Sequence, residues 1–276
     1  MRVMTVQSSR RFLFVLPAAL LALSPTLAGQ PVSTKPPAVL LEGEELIYNV
    51  RYGFIDLGQV RIRAINRISE STFTGYYGKA KIDSYPSIPF VDLHAIYESV
   101  FDTSIFSRNF LGKSKEDKDK LWDFSRYHFD YLSNKVFMEK GEEDSIVLKR
   151  DTMEIATHYQ DGLSLFFYAR QQLTAGETKN IPTFIKEQKV NTVINFHNKR
   201  TSVEVDAIDY PVDVVEFDGT AQFVGIFGLT GDFEGWFSND EARVPILAKM
   251  KVIIGSVTIE LMKWKRIGWI PPRGLD

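Results

Sequence analysis

Cysteine is absent from all 276 residues. That absence removes a disulfide framework, a thiol nucleophile, a thiolate metal site and a lipid-modified cysteine. Histidine is scarce: His94, His128, His158 and His197 fall in four separate stretches, with no HExxH or comparable ligand pair. Spacing therefore points to no metal and no cofactor. A GxSxG elbow, a P-loop and a GxGxxG loop are also missing. Gly162-Leu163-Ser164 sits where a helix begins, and Gly225, Gly228, Gly231 and Gly235 lack the strand, helix and lysine that a phosphate cradle needs. Carboxylates are plentiful, but nothing in their spacing selects a catalytic pair. Asp161, Asp232, Glu234 and Asp240 flank apolar stretches, where caps and turns account for them. No catalytic residue is expected. No internal repeat or low-complexity segment stands out.

What is present starts with a leader. Arg2, Arg10 and Arg11 precede an apolar run from Phe12 to Leu23, and Thr26-Leu27-Ala28 places small residues where a signal peptidase reads. The run is shorter than the roughly 20 residues of a membrane-spanning helix. Residues 1–28 read as a signal peptide, 29–40 as a flexible lead-in carrying Pro31, Pro36 and Pro37, and 41–270 as a single domain. Later segments are too short to span a membrane, so the expected location is the periplasm of a Gram-negative-type bacterium. Removing the three leader arginines leaves 30 basic against 35 acidic residues, a net charge of about −5. Weak acidity argues against nucleic acid or an anionic membrane surface as partner.

The domain reads as strands. Gly231 to Lys265 organises it: Trp236-Phe237 close one apolar segment, Val244 to Ile254 is broken only by Lys249 and Lys251, and Gly255-Ser256 reverses the chain into Val257 to Trp264. Glu44 to Tyr52 alternates with Leu46, Tyr48 and Val50 on one face, and Val60, Ile62 and Ala64 continue after a turn at Gly53 to Asp56. Leu93 to Phe101 fits strand or short helix, Lys113 to Lys120 reads as a charged tip, and Ile146 to Leu148 and Met153 to Ile155 as two short strands. Separate strands are predicted over Val190 to Phe196 and Arg200 to Ala207, and a loop over Val224 to Leu229. One helix is predicted, Asp161 to Leu173, capped by Asp161, with Leu163, Phe166, Phe167 and Arg170 at helical spacing. Arg170 and Arg243 each pair with an acid across the helix–sheet interface or hold an anionic head group.

Four places resemble the bacterial family known as domain of unknown function 3108. They are the opening EGEELIYNVRYGFIDLGQVRIRA, the helix start Asp161-Gly162-Leu163-Ser164 with Tyr168 and Arg170, the loop Gly225-Ile226-Phe227, and Trp236-Phe237-Ser238-Asn239-Asp240 with Arg243-Val244-Pro245. The last carries an extra residue between Asp240 and Arg243 relative to the tightest form of the motif. The resemblance implies export and a β-rich fold, and it brings no catalytic residues. By architecture alone the chain is similar to periplasmic lipoprotein carriers, in which a curved sheet wraps an apolar cavity under a helical lid.

The expected fold is thus mainly β, a large curved antiparallel sheet or half-open barrel of about ten strands covered by one principal helix. The expected function is non-catalytic binding or carriage of a hydrophobic or lipid-like ligand, with Phe166, Phe167, Arg170, Ile226, Phe227 and Trp236 as candidate contacts. The alternatives are a structural protein that docks an envelope protein partner in cell-envelope assembly, and a hydrolase of envelope glycans or lipids.

Overall fold

The computed structural model describes residues 39–274 apart from 70–72, 89–91, 116–119, 144, 173–175, 222–230 and 252–254. The expected leader, all but the end of the lead-in, and the loop carrying Ile226 and Phe227 lie outside the described residues. Residues 35–276 form one compact unit.

Eight strands come first: β1 (Glu44–Tyr52), β2 (Ile55–Ser69), β3 (Thr74–Ser84), β4 (His94–Asp102), β5 (Ser107–Lys115), β6 (Asp123–Asp130), β7 (Lys135–Glu142) and β8 (Ile146–Glu154). The helix α1 (Ser164–Gln171) follows. Six more strands complete the chain: β9 (Glu177–Ile185), β10 (Gln188–Val205), β11 (Ile208–Ala221), β12 (Gly231–Ser238), β13 (Pro245–Lys251) and β14 (Ser256–Lys265). Each strand is antiparallel to its neighbour, and β14 pairs with β1, so all 14 form one sheet whose edges are β8 and β9.

Period-two patterning builds these strands. In β1, Glu44, Leu46, Tyr48 and Val50 are buried while the residues between them are not. Leu46 sits opposite Ile62 on β2 and Trp264 on β14, which ties the first strand to both neighbours. At the β13–β14 reversal Gly255 has φ of 82°, a left-handed conformation that suits glycine.

The strand count exceeds the expected ten. Of the strand and short helix left open for Leu93 to Phe101, strand is found, since β4 covers His94–Asp102. The two short strands around 146–155 are one, β8, because its exposed middle residues pair with β7 without an apolar pattern to announce them. The separate strands at 190–196 and 200–207 are one strand, β10, with a register irregularity between Phe196 and Arg200. The charged tip starts later than expected, since β5 runs to Lys115. The closing hairpin lies mid-sheet, because its second strand meets β1.

The two edges are managed differently. Beside β9, the Gln160 N–H donates to Pro182 O at 2.9 Å, and Phe184 N–H donates to Gln160 O at 2.8 Å. One residue earlier, Tyr159 O accepts from Ser107 N–H at 3.1 Å. The segment before α1 thereby stitches the β9 edge to the start of β5, while the strand ladder itself stays open. Phe184, fully buried, meets Tyr127 and Phe129 edge-on at 5.1 and 5.6 Å. Edge β8 is exposed along most of its length and carries Ile146 and Leu148 into solvent.

The main core lies between α1 and the sheet. Phe167 packs on Phe101 with ring centroids 5.4 Å apart, and Phe101 stacks on Tyr76 at 6.1 Å. After β14 the chain folds back on β11: Asp213 N–H donates to Pro272 O, and Gly274 N–H donates to Pro211 O.

Candidate functional site

Two hydrogen-bonded clusters fix α1. At its start Asp161 is wholly buried. Its Oδ1 accepts from the N–H groups of Leu163 and Ser164 at 2.7 and 2.8 Å, and Ser164 Oγ accepts in return from Asp161 N–H at 2.9 Å. This is a reciprocal capping box with serine as the second partner, so the expected Asp161 cap is present. The helix proper starts at Ser164, three residues later than predicted, although Asp161 O already accepts the first helical bond from Leu165 N–H at 3.0 Å. The other carboxylate oxygen accepts from Ser99 Oγ at 2.5 Å and Ser107 Oγ at 2.6 Å. Burial raises the Asp161 pKa, and the four donors oppose that rise without cancelling it.

The sign of the pH effect follows. A folded-state pKa above the ordinary 3.8 means that the folded protein holds this proton more tightly. The resulting stability is present below pH 3.8 and is lost as pH rises through the folded value. Asp161→Asn keeps an acceptor for the two backbone N–H groups and removes the titration. Its stability deficit relative to wild type should therefore be largest near pH 4 and shrink toward pH 7. Urea unfolding at both pH values checks this, and a deficit that widens with rising pH would contradict it.

At the other end of α1, Arg170 is fully buried. Its Nη1 and Nη2 donate to the two oxygens of Glu44 at 2.7 and 3.1 Å, Nη2 also donates to Ala242 O at 2.9 Å, and Nε donates to Arg243 O at 3.1 Å. Arg266 reaches the same Glu44 carboxylate. Arg243 answers from the β12–β13 turn, donating through Nη1 to the last helical carbonyls, Arg170 O at 3.2 Å and Gln171 O at 3.0 Å. Asp240 shapes that turn by accepting from the N–H groups of Ala242 and Arg243, and its other oxygen accepts from Trp269 Nε1 at 2.7 Å. Arg170 is thus a fully buried structural tie, and Arg243 ties the helix end to the β12–β13 turn.

Between α1 and the sheet lies a cavity of about 290 Å³. Phe166 and Ala169 line it from the helix, and Tyr48, Ile62, Phe217 and Ala248 are among its sheet-side walls. Gly235 explains part of the shape, because a Cβ there would meet the Phe217 ring at 2.4 Å. The absent side chain lets Phe217 lie across β12 and stack on Phe237 at 4.3 Å. The wall is almost wholly apolar. Thr192 is a polar member, and its hydroxyl is paired with that of Thr183 at 3.0 Å.

Of the sequence candidates, Phe166 reaches the cavity. Phe167 is turned into the core, so its expected ligand contact is replaced by packing on Phe101. Trp236 is half-buried under the Lys249 ammonium, 5.2 Å from the ring centre, and does not line the cavity. Ile226 and Phe227 lie outside the described residues. Tyr48, Ala169, Phe217 and Ala248 were missed. Alternation along β11 and β12 puts Phe217, Phe233 and Phe237 on one face, and that signal was open to reading. Among the described residues, no group of His, Cys, Asp and Glu is placed to hold a metal ion, and no helix is long and apolar enough to cross a membrane.

A 14-stranded antiparallel, barrel-like sheet with one helix laid over an apolar cavity defines the class of protein. The chain belongs to the family described as "Protein of unknown function (DUF3108)", which it matches over residues 47–262. It is also similar to a solved structure, the β-barrel-like protein of domain of unknown function DUF1849 from Brucella abortus. That similarity has a TM-score of 0.56 and 13% sequence identity over 84% of this chain and 100% of the other, a likeness of fold. No curated protein matches the chain.

Proposed function

We propose that this protein binds a hydrophobic or lipid-like ligand and carries it without chemical change. The observation behind the reading is the apolar cavity of about 290 Å³ under α1, close to the lower end of the range for small-molecule sites. A rigid helix tied at both ends and a sheet wall with almost no polar groups suit recognition by shape and burial. The basic, apolar and small-residue pattern of residues 1–28 supports export, and a periplasmic carrier of envelope lipid is the form of the proposal.

The test uses the chain from Gly29, purified without detergent, extracted with organic solvent and read by mass spectrometry. A stoichiometric lipid is the expected result. Ala248→Phe places a ring in the cavity and should reduce the bound lipid at least tenfold, while the thermal midpoint moves little. An empty extract, repeated after incubation with an envelope lipid mixture, would overturn the reading and leave a scaffold working through protein partners.

A further inference from the structure

Edge β9 is bridged by Gln160, but among the described residues no strand lies beyond edge β8, and its residues 148–152 and 154 are exposed. Its hydrogen bonds show which peptide groups face out. Ile155 N–H donates to Asn134 O at 2.9 Å, in register with the Lys135–Glu154 pair, so the peptide groups of Ile155 face the β7 side. Successive residues of a strand point their N–H and C=O groups to opposite sides, which turns those of Arg150, Thr152 and Glu154 toward the open side. Thr152 agrees, because its N–H donates to the Asp151 carboxylate at 2.8 Å.

This edge complements itself. When a strand pairs antiparallel with its own copy, the residue on the two-fold axis meets its twin, and its neighbours meet in reciprocal pairs. Centring the axis on Arg150 or Asp151 sets like charges against each other. Centring it on Thr152 sets threonine against threonine and each Arg150 opposite the Glu154 of the other copy, twice over. The same register joins all three outward peptide groups in hydrogen-bonded pairs. Arg150 already holds Glu139 through Nε at 2.9 Å, and a guanidinium has donors for a second carboxylate. The register irregularity opposite Leu148 ends the regular ladder, so residues 150–154 of each copy make a short contact and a weak dimer.

We propose that two copies of this protein associate edge to edge through β8, antiparallel about an axis at Thr152, joining their sheets into one. The pairing is independent of the cavity and its ligand. Asp151 moderates it, since its carboxylate occupies the Thr152 N–H that the second copy needs, a local bond in competition with the ladder.

Sedimentation equilibrium of the chain from Gly29 at low salt, up to about 1 mM, is expected to show monomer and dimer in exchange. Asp151→Ala frees the Thr152 N–H and should tighten the dimer severalfold. Thr152→Pro removes an outward N–H that the β7 ladder does not use, so it should weaken the dimer at least tenfold while the thermal midpoint holds. Arg150→Glu and Glu154→Arg each oppose like charges and should weaken it about tenfold, and the two together should restore it. Loss of folding cannot mimic that restoration. A monomer at every concentration would overturn the proposal and leave β8 to a different partner. A dimer indifferent to Thr152→Pro and to the charge exchanges would place the contact elsewhere and overturn it equally.

Discussion

Arg170→Ala is expected to lower the unfolding free energy by about 3–5 kcal/mol, the range for breaking a buried ion pair from one side. The substitution leaves Glu44, 2% exposed, with one of its two arginines, and it strips a donor from each of the carbonyls of Ala242 and Arg243. Arg243 keeps its own bonds to the helix end, so α1 should remain present while the sheet loses cooperativity at that end. Lysine should not rescue. A single ammonium cannot reproduce the fork that spans two carboxylate oxygens and two carbonyls. Urea unfolding followed by tryptophan fluorescence measures the loss, and a change under about 1 kcal/mol would show that the network is dispensable.

Phe167→Ala should be of similar size, about 3–5 kcal/mol, because a fully buried ring is exchanged for a void. Its neighbour Phe101 is also fully buried, with no solvent to fill the space. For a chain of this size the loss corresponds to roughly 6–20 °C in thermal midpoint. Lipid binding should persist below the lowered midpoint, since Phe167 is not part of the cavity wall. If instead binding is lost with the midpoint unchanged, the assignment of Phe167 to the core fails.

The class of fold was legible because its signal is local. Alternation in EELIYNVRY and the Gly255 reversal specify strand and turn through near neighbours alone. The helix and its Asp161 cap were legible for the same reason. Strand β8 was split because edge residues are solvated and need no apolar pattern, and β10 was split because its irregular middle interrupts the alternation. The site was less legible. Phe166 and Phe167 are adjacent on α1, and helical spacing alone does not say which ring faces the cavity and which the core. Arg170 looked available for an anion because its partner Glu44 lies 126 residues away in sequence. Tyr48 carries no local mark, since a tyrosine on an inner strand face reads as core until the fold sets it in the cavity wall.

Joining the first strand to the last has a consequence for how the molecule is made. The hairpins within 44–154 and 177–265 need only near neighbours, but Glu45 must find Lys265. A chain that emerges N-terminus first, from a ribosome or through an export pore, holds β1 with one bare edge until its final strand is delivered. Arg266, one residue beyond β14, then completes the charge around Glu44. Strand β14 thus sets the time of joining, and a copy truncated before it lacks the ladder that unites the two halves.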